Sequence, residues 1–408
     1  MSGASGGFPI ALETPGWPPG AVPNGVVTYV SAIVPLLRAQ GHPVSILAAS
    51  SGPGPHDLPV YDLAAAWGRR PLPTRLAHAA QRRLAPALYR QARWRHMAGV
   101  ARRMIGEQGV RIIEMEESFG MARWVQRAVP VPVVVRLHGP WFLNGVALGV
   151  PRDAAFAARV EEEGKAIEQA VAVSAPSRNV LDEVRRQYGL KLDQAVVIPN
   201  PTPPVGPGER WRAEASEPGR VLFVGRFDRH KGGDLILDAF ARVLAESPRA
   251  HLTFVGPDRG LVDDAGRAWS LPEYVRRRLP GSLESGAVEL LGQLPFSALG
   301  ALRRRAQVTA VCSRYENFPG SLTEALAHGC PTVAAETGGI PELVQDGVNG
   351  LLHRPGDADH LAGRVLELLR DPARAARLGA AAAAASEKLR PAEVVPLLLA
   401  TYRRVLAG

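Results

Sequence analysis

The chain predicts an α/β protein built from two parallel-sheet domains. Short apolar, β-branched runs alternate with helical stretches along its length, the pattern of parallel strands wound with helices. Near the middle, residues 199–217 are rich in Pro and Gly and carry no periodic pattern, so they read as a linker. At 408 residues the chain is long for one hydrophobic core, which makes two domains the expectation.

In the first half, runs at residues 9–12, 44–48, 111–115, 133–137, 170–173 and 196–198 read as strands. The first is the poorest, because residues 1–7 are polar and glycine-rich. In the second half the strands are expected at 221–224, 251–255, 288–291, 308–311 and 331–334. The alanine run at 380–385 reads as helix, and residues 392–406, after Pro391, read as a closing helix. No tandem repeat is apparent. The expected division is a first domain at 1–204, a linker at 205–218, a second domain at 219–388 and a C-terminal helix at 389–408.

Composition is that of a globular protein, with 46% hydrophobic and 21% charged residues. The N-terminus lacks the basic and apolar stretches of a secretory signal. No run approaches the ~20 apolar residues needed to span a bilayer. The two cysteines, Cys312 and Cys330, sit on apolar segments without metal spacing and read as free buried thiols of a reducing, cytoplasmic compartment. Net charge is +9, concentrated in residues 69–103, which hold ten arginines and no Asp or Glu. Trp67, Tyr89 and Trp94 lie in or beside that run. No nucleic-acid recognition module accompanies it. Two readings stand: a peripheral contact with an anionic membrane, and a solvated basic helix pair.

The most informative stretch is 311–352. Glu316 and Glu324 bracket a turn of Pro319, Gly320 and Ser321, with a helix after it. Amides at a helix start can meet a diphosphate, and a carboxylate can accept hydrogen bonds from sugar hydroxyls. Ser321-x-x-Glu324 also fits a capping box that needs no ligand. Upstream, the apolar run 221–224 leads into a loop holding Arg226 and Lys231, with Asp234 placed to cap the next helix. Open α/β sheets bind ligands at such strand ends. Alone, these would be ordinary loop cations; paired with the glutamate segment they point to a phosphate site.

Further fragments complete the pattern. They are Asn24-Gly25-Val26-Val27-Thr28-Tyr29-Val30 with Gly41-His42-Pro43-Val44, then VVVRLHG ending on His138 and Gly139. VVIPN ending at Asn200 and VELLG containing Leu291 follow. Together they resemble the retaining glycosyltransferases of family 4, the glycosyl transferases group 1, which have the GT-B fold. That resemblance implies two Rossmann-like doubly wound domains facing a central cleft, with the last helix crossing back to the first domain. It implies an acceptor-binding first domain and a second domain binding a UDP- or GDP-sugar. Glu324 would hold the ribose and Glu316 the donor sugar's hydroxyls. Leu291 would lie at the base, and Pro319, Gly320, Ser321 and Leu322 at the phosphates or donor sugar. Asn24 and Gly25 would approach the diphosphate from the first domain. Asn24 stands where the family often has glycine, as does Asn317.

Arg226 and Lys231 would stabilise the leaving group as fixed charges. No Asp-x-Asp motif stands at an obvious strand end, so no obligatory metal or cofactor is expected. His138 should sit at a strand tip, either hydrogen-bonded near the reacting carbon or capping the strand. Retention is implied by the resemblance, with the departing phosphate oxygen taking the acceptor's proton. Glu114, Glu116 and Glu117 read either as an acceptor-binding group or as a solvated acidic turn. Glu161, Glu162 and Glu163 read as a solvated helix face, and His42 as structural. The acceptor could be a polysaccharide, a glycolipid or a small molecule. Two rivals share the architecture: a nucleotide-sugar epimerase, which must move a carbon-bound proton, and a non-catalytic sugar or lipid binder.

Overall fold

The computed structural model describes residues 6–19, 24–69 and 72–408. Residues 1–5 of the polar opening stretch, and Arg70 of the basic run, lie outside them. Two compact units form. The first takes the chain up to Phe142, then Arg152–Pro201 and Pro391–Gly408; the second takes Leu143–Pro151 and Thr202–Arg390. The divisions thus fall after Pro201 and Arg390 where the sequence reading put them after 204 and 388. The inclusion of Leu143–Pro151 in the second unit had no signal in that reading.

In chain order come β1 (Ile10–Thr14), α1 (Gly25–Ala39), β2 (Val44–Ala48), β3 (Val60–Asp62), α2 (Leu63–Gly68), α3 (Leu72–Leu84), α4 (Pro86–Gln108) and β4 (Ile112–Glu116). There follow α5 (Met121–Gln126), β5 (Val133–Arg136), α6 (Trp141–Ala147), α7 (Ala154–Glu168), β6 (Ala172–Ala175), α8 (Arg178–Tyr188) and β7 (Val196–Val197). The seven strands form one parallel sheet in the order β3-β2-β1-β4-β5-β6-β7. Ile10 of β1 lies opposite Val44 on one side and Ile112 on the other. Chain direction across the sheet reverses between β1 and β4, a topological switch point where open α/β sheets bind ligands. Asn24 starts α1: its side chain accepts from Val26 N at 2.7 Å.

The second unit holds β8 (Glu217–Val224), α9 (Gly233–Glu246), β9 (His251–Val255), the short hairpin β10 (Leu261–Val262) and β11 (Ala268–Trp269), and α10 (Leu271–Arg278). It continues with β12 (Val288–Gly292), α11 (Phe296–Arg305), β13 (Ala306–Val311), α12 (Gly320–His328), β14 (Thr332–Ala335), β15 (Leu351–His353), α13 (Ala358–Arg370) and α14 (Pro372–Ser386). Its six parallel strands run in the order β12-β9-β8-β13-β14-β15. The switch point lies between β8 and β13. Phe223 and Phe254, neighbours in register, anchor the core with ring centroids 4.6 Å apart. The expected linker is no free tether. Trp211 donates its amide to His328 O and its indole N–H to Ala306 O, both at 2.7 Å. Among the described residues no helix is long and apolar enough to cross a membrane.

The closing helix, α15 (Pro391–Ala407), belongs to the first unit. Val394, Val395, Leu398, Leu399 and Tyr402 recur at helical spacing and share a core with Val26, Tyr29, Val30 and Ile33 of α1. Within that apolar layer a carboxyl and a guanidinium are buried, those of Glu114 and Arg136. Glu114 of β4 accepts from Tyr29 Oη and from Tyr402 Oη, each at 2.8 Å. Burial raises the Glu114 carboxyl, opposed by Arg136 and the two tyrosines. Arg136 stands 4.2 Å over the Tyr29 ring. A bond to a charged group contributes about 1.5–3 kcal/mol. Tyr402→Phe is therefore expected to lower urea-unfolding stability by roughly that amount. A loss below about 0.5 kcal/mol would mean that apolar packing alone holds α15.

Candidate active site

Two loops meet at the second unit's switch point. The loop after β8 carries Arg226 and Lys231, and the loop after β13 carries Ser313, Arg314 and Glu316. They pack closely enough that Gly232, at φ +70°, would place a Cβ 2.1 Å from Cys312 O. Only glycine fits there. Asp228 organises the first loop: one carboxylate oxygen accepts from Arg226 Nε at 2.6 Å and the other from Lys231 N at 2.7 Å. The Lys231 ammonium reaches across to the Glu316 carboxylate, which also accepts from Ser313 Oγ at 2.7 Å. Burial raises the Glu316 pKa, but the charges of Lys231 and His230 and the two hydrogen bonds outweigh it, so the carboxyl stays below its ordinary range. Arg226 and Lys231 keep about a third and a quarter of their side chains exposed, at 38% and 25%. A dissolved anion can therefore reach them.

Arg314, which the sequence reading missed, ties the loops together. Its guanidinium donates to both Asp234 oxygens, at 2.8 and 2.7 Å, and to Arg229 O at 2.6 Å. Its amide donates to His230 O at 2.9 Å, and His230 Nε2 bonds Tyr315 O at 2.9 Å. The expected cap by Asp234 does not form. Gly232 is the N-cap of α9 without a side-chain bond, because Asp234 is taken by Arg314.

The capping box that Ser321 and Glu324 also fitted does not form. Pro319 is the N-cap of α12, with no side-chain cap, and Glu324 pairs with Arg303, a side chain 1% exposed. Burial raises the Glu324 pKa, opposed by Arg303. The first amides of α12, Gly320 and Ser321, have no carbonyl within the helix to bond and form a ready anion site. Leu322 offers nothing similar: its side chain is fully buried and its amide bonds Pro319 O at 3.1 Å. Leu291 lies near the end of the edge strand β12 and packs against the cluster of Leu222, Val255 and Leu299.

In the first unit, Asn24 spends its side chain on capping α1, and a Cβ at Gly25 would meet only open space. His138 follows β5, with its ring 5.0 Å from that of Tyr29, edge to face. Burial, then Arg136, hold its pKa well below the ordinary imidazole value, so it is neutral at pH 7. Its position is set by Glu117, whose carboxylate accepts from His138 N at 2.9 Å and Gly139 N at 2.7 Å. The solvated acidic turn is thereby corrected: Glu114 and Glu117 are 4% and 0% exposed. Glu163 is buried too, not part of a solvated face. It accepts from Trp141 N at 2.7 Å, Phe119 N at 3.2 Å and Arg159 Nε at 2.8 Å. His42 is structural, its Nδ1 within 3.2 Å of Phe8 N.

Comparison with known proteins places these features in a family. The model described as Glycosyltransferase Family 4 matches residues 23–204, and the one described as Glycosyl transferases group 1 matches 209–385. A D-inositol 3-phosphate glycosyltransferase of Nocardiopsis dassonvillei is 29% identical over 298 residues, 68% of this chain and 66% of that protein. The sucrose-phosphate synthase structure from Thermosynechococcus elongatus superposes with a TM-score of 0.71 at 23% identity, covering 98% of this chain and 99% of the other. Anabaena Alr3699/HepE, solved in complex with UDP-glucose, gives a TM-score of 0.69 at 19% identity, covering 97% and 100%.

The buried acids generate a pH prediction. Burial, relieved in part by the Glu116 amide, brings the Glu13 carboxyl up to about 7; burial and then Glu13 bring Glu116 up to about 8; burial and then Glu163 bring Glu117 up to about 8. Such groups bind protons more tightly folded than unfolded, so their ionisation weakens the fold as pH rises from about 4.5 to about 8. Glu116→Gln should leave the melting temperature unchanged at pH 5 and raise it by several degrees at pH 8. An equal shift at both values would contradict the burial argument.

Proposed function

Because the chain belongs to glycosyltransferase family 4 and has the GT-B fold, we propose that it moves a sugar from a nucleoside-diphosphate sugar to an acceptor hydroxyl, with retention at the anomeric carbon. One observation carries this reading. Two loops at one switch point present two accessible fixed cations, Arg226 and Lys231, beside an ionised carboxylate, Glu316, with the start of α12 close after it in the chain. Donor diphosphate, donor sugar and leaving-group charge each have a matching group there.

In the reaction the bond from the anomeric carbon to the phosphate oxygen breaks, and a bond from that carbon to the acceptor oxygen forms. The acceptor's proton passes to the departing phosphate oxygen on the same face, so no protein nucleophile is required. Lys231 and Arg226 stabilise the charge that grows on the diphosphate. At rest Lys231 is compensated by Glu316. When the diphosphate engages Lys231, Glu316 is released to accept hydroxyl bonds from the donor sugar. Glu324 keeps one oxygen on Arg303 and serves the ribose with the other. The α12 amides, from the turn at Pro319, take phosphate, and Leu291 borders the base. Within the first unit, His138, neutral and held by Glu117, is the group suited to hydrogen-bond a sugar hydroxyl, and Asn24 and Gly25, at the start of α1, are its candidates for a phosphate contact. HepE, an Anabaena protein of the same fold, was solved with UDP-glucose, which supports a uridine or related nucleotide donor here. Fixed cations serve the leaving group without an obligatory metal. Two buried free thiols suit a reducing compartment, and a cytoplasmic location.

The test is acceptor-dependent release of nucleoside diphosphate, with nucleotide sugars first chosen by thermal shift and assays run with and without EDTA. Turnover should need an acceptor and survive EDTA. Conversion of the nucleotide sugar alone would instead indicate an epimerase. Lys231→Ala and Arg226→Ala should each lose about 10²–10³ in rate while remaining folded. Near-normal rates in both would refute the leaving-group assignment.

A further inference from the structure

We propose that the turn between α3 and α4 is a docking surface for an anionic lipid bilayer, with Leu84 and Leu88 entering the acyl boundary and Arg82, Arg83 and Arg90 meeting the headgroups. It goes beyond the transfer chemistry and does not depend on it. Leu84 closes α3 and Leu88 lies in the first turn of α4, with Ala85 alone between the helices. Leu84 is 85% exposed and Leu88 is 54% exposed, so two large apolar side chains four positions apart stand in water. Arg82, Arg83 and Arg90, each within two residues of one of the leucines in the chain, are exposed too, and residues 69–103 contain no carboxylate. Exposed apolar side chains beside exposed cations match the boundary between headgroups and acyl chains.

The structure also changes which groups would make the contact. The aromatic residues of this region face their own unit. Trp67 stacks on His78 at 4.4 Å and meets Tyr89 and His96 edge-on at 6.0 and 5.0 Å. Trp94 stacks on Trp124 at 4.7 Å. They stiffen the helix pair, and the leucines at its tip are what is left to insert. Charge complementarity selects the bilayer as occupant. A second copy of this chain would set arginine against arginine, and a soluble polyanion would have no use for the leucines.

The test is flotation of the full chain with vesicles of phosphatidylcholine alone or with phosphatidylglycerol, at low and at physiological salt. The wild type should float with the anionic vesicles only, and less at higher salt, where exposed charges are screened beyond about 8 Å. Each basic side chain at such a surface is worth about fivefold in partitioning. Replacing Arg82, Arg83 and Arg90 by Gln should therefore cost on the order of a hundredfold. Leu84→Ser with Leu88→Ser should weaken binding at both salt concentrations. Nucleotide thermal shift on the same variants should be unchanged, which separates this proposal from the catalytic one. Three results would overturn it: no flotation of the wild type at low salt, flotation indifferent to the leucine pair, or equal binding to neutral vesicles.

Discussion

The ion pair between Lys231 and Glu316 is the interaction on which the second unit's site depends. It joins the ends of β8 and β13, the two strands that flank the switch point, and sets a cation and an anion side by side at the place where the fold opens. Neither charge would be comfortable alone. Glu316 is nearly buried, with 9% of its side chain exposed, and only its basic neighbours and Ser313 keep it ionised. Lys231 is a quarter exposed, so the pair itself contributes modestly to stability. In the proposed reaction its value is positional: a compensated pair at rest becomes two separate binding groups when an anion competes for the lysine. The clamp by Arg314 and the close approach at Gly232 hold the loops in register, so that exchange needs side-chain movement and little else.

The first unit spends stability in a different way. Glu13, Glu116 and Glu117 are held near or above neutral pH by burial and by one another, against an ordinary value of 4.5. One of them has a visible use. Glu117 binds two consecutive amides and so fixes the strand end that carries His138. Glu114 fastens α1 and α15 to the sheet through two tyrosines. Buried carboxylates with such partners are costly to change, because removal of either side leaves the other unsatisfied.

Much of this was legible in the sequence, and most of the failures have two causes, strands too short to leave a pattern and partners far away in the chain. β2 and β9 fall on the expected spans because their apolar runs are long and sharply bounded. β3, β10, β11 and β15 were missed because strands of two or three residues leave no periodic trace. The placement of Arg226, Lys231 and Glu316 in two adjoining loops was legible because each follows a strong strand signal. Asp234 does not act as a local cap because a long-range cation claims it, Arg314, 80 positions away, and the capping-box alternative for Glu324 fails likewise, because Arg303, 21 positions away, pairs with it. The bond from Tyr402 to Glu114 spans 288 positions and has no local signature. Glu163 was the recoverable miss. It lies four residues after Arg159 on the helix face that buries Val160 and Ile167, and helical spacing alone could have separated it from Glu161.

The central claim is that Glu316 and the donor diphosphate compete for Lys231. Isothermal titration of a nucleoside diphosphate into Glu316→Gln tests it most directly. Neutralising the carboxylate frees the lysine, so the diphosphate should bind more tightly than to wild type, by up to about fivefold for a partly exposed pair. Sugar transfer should nonetheless be lost. Unchanged or weaker binding would show that Lys231 and Glu316 act as one fixed structural pair, and the account of the site would fail at its centre.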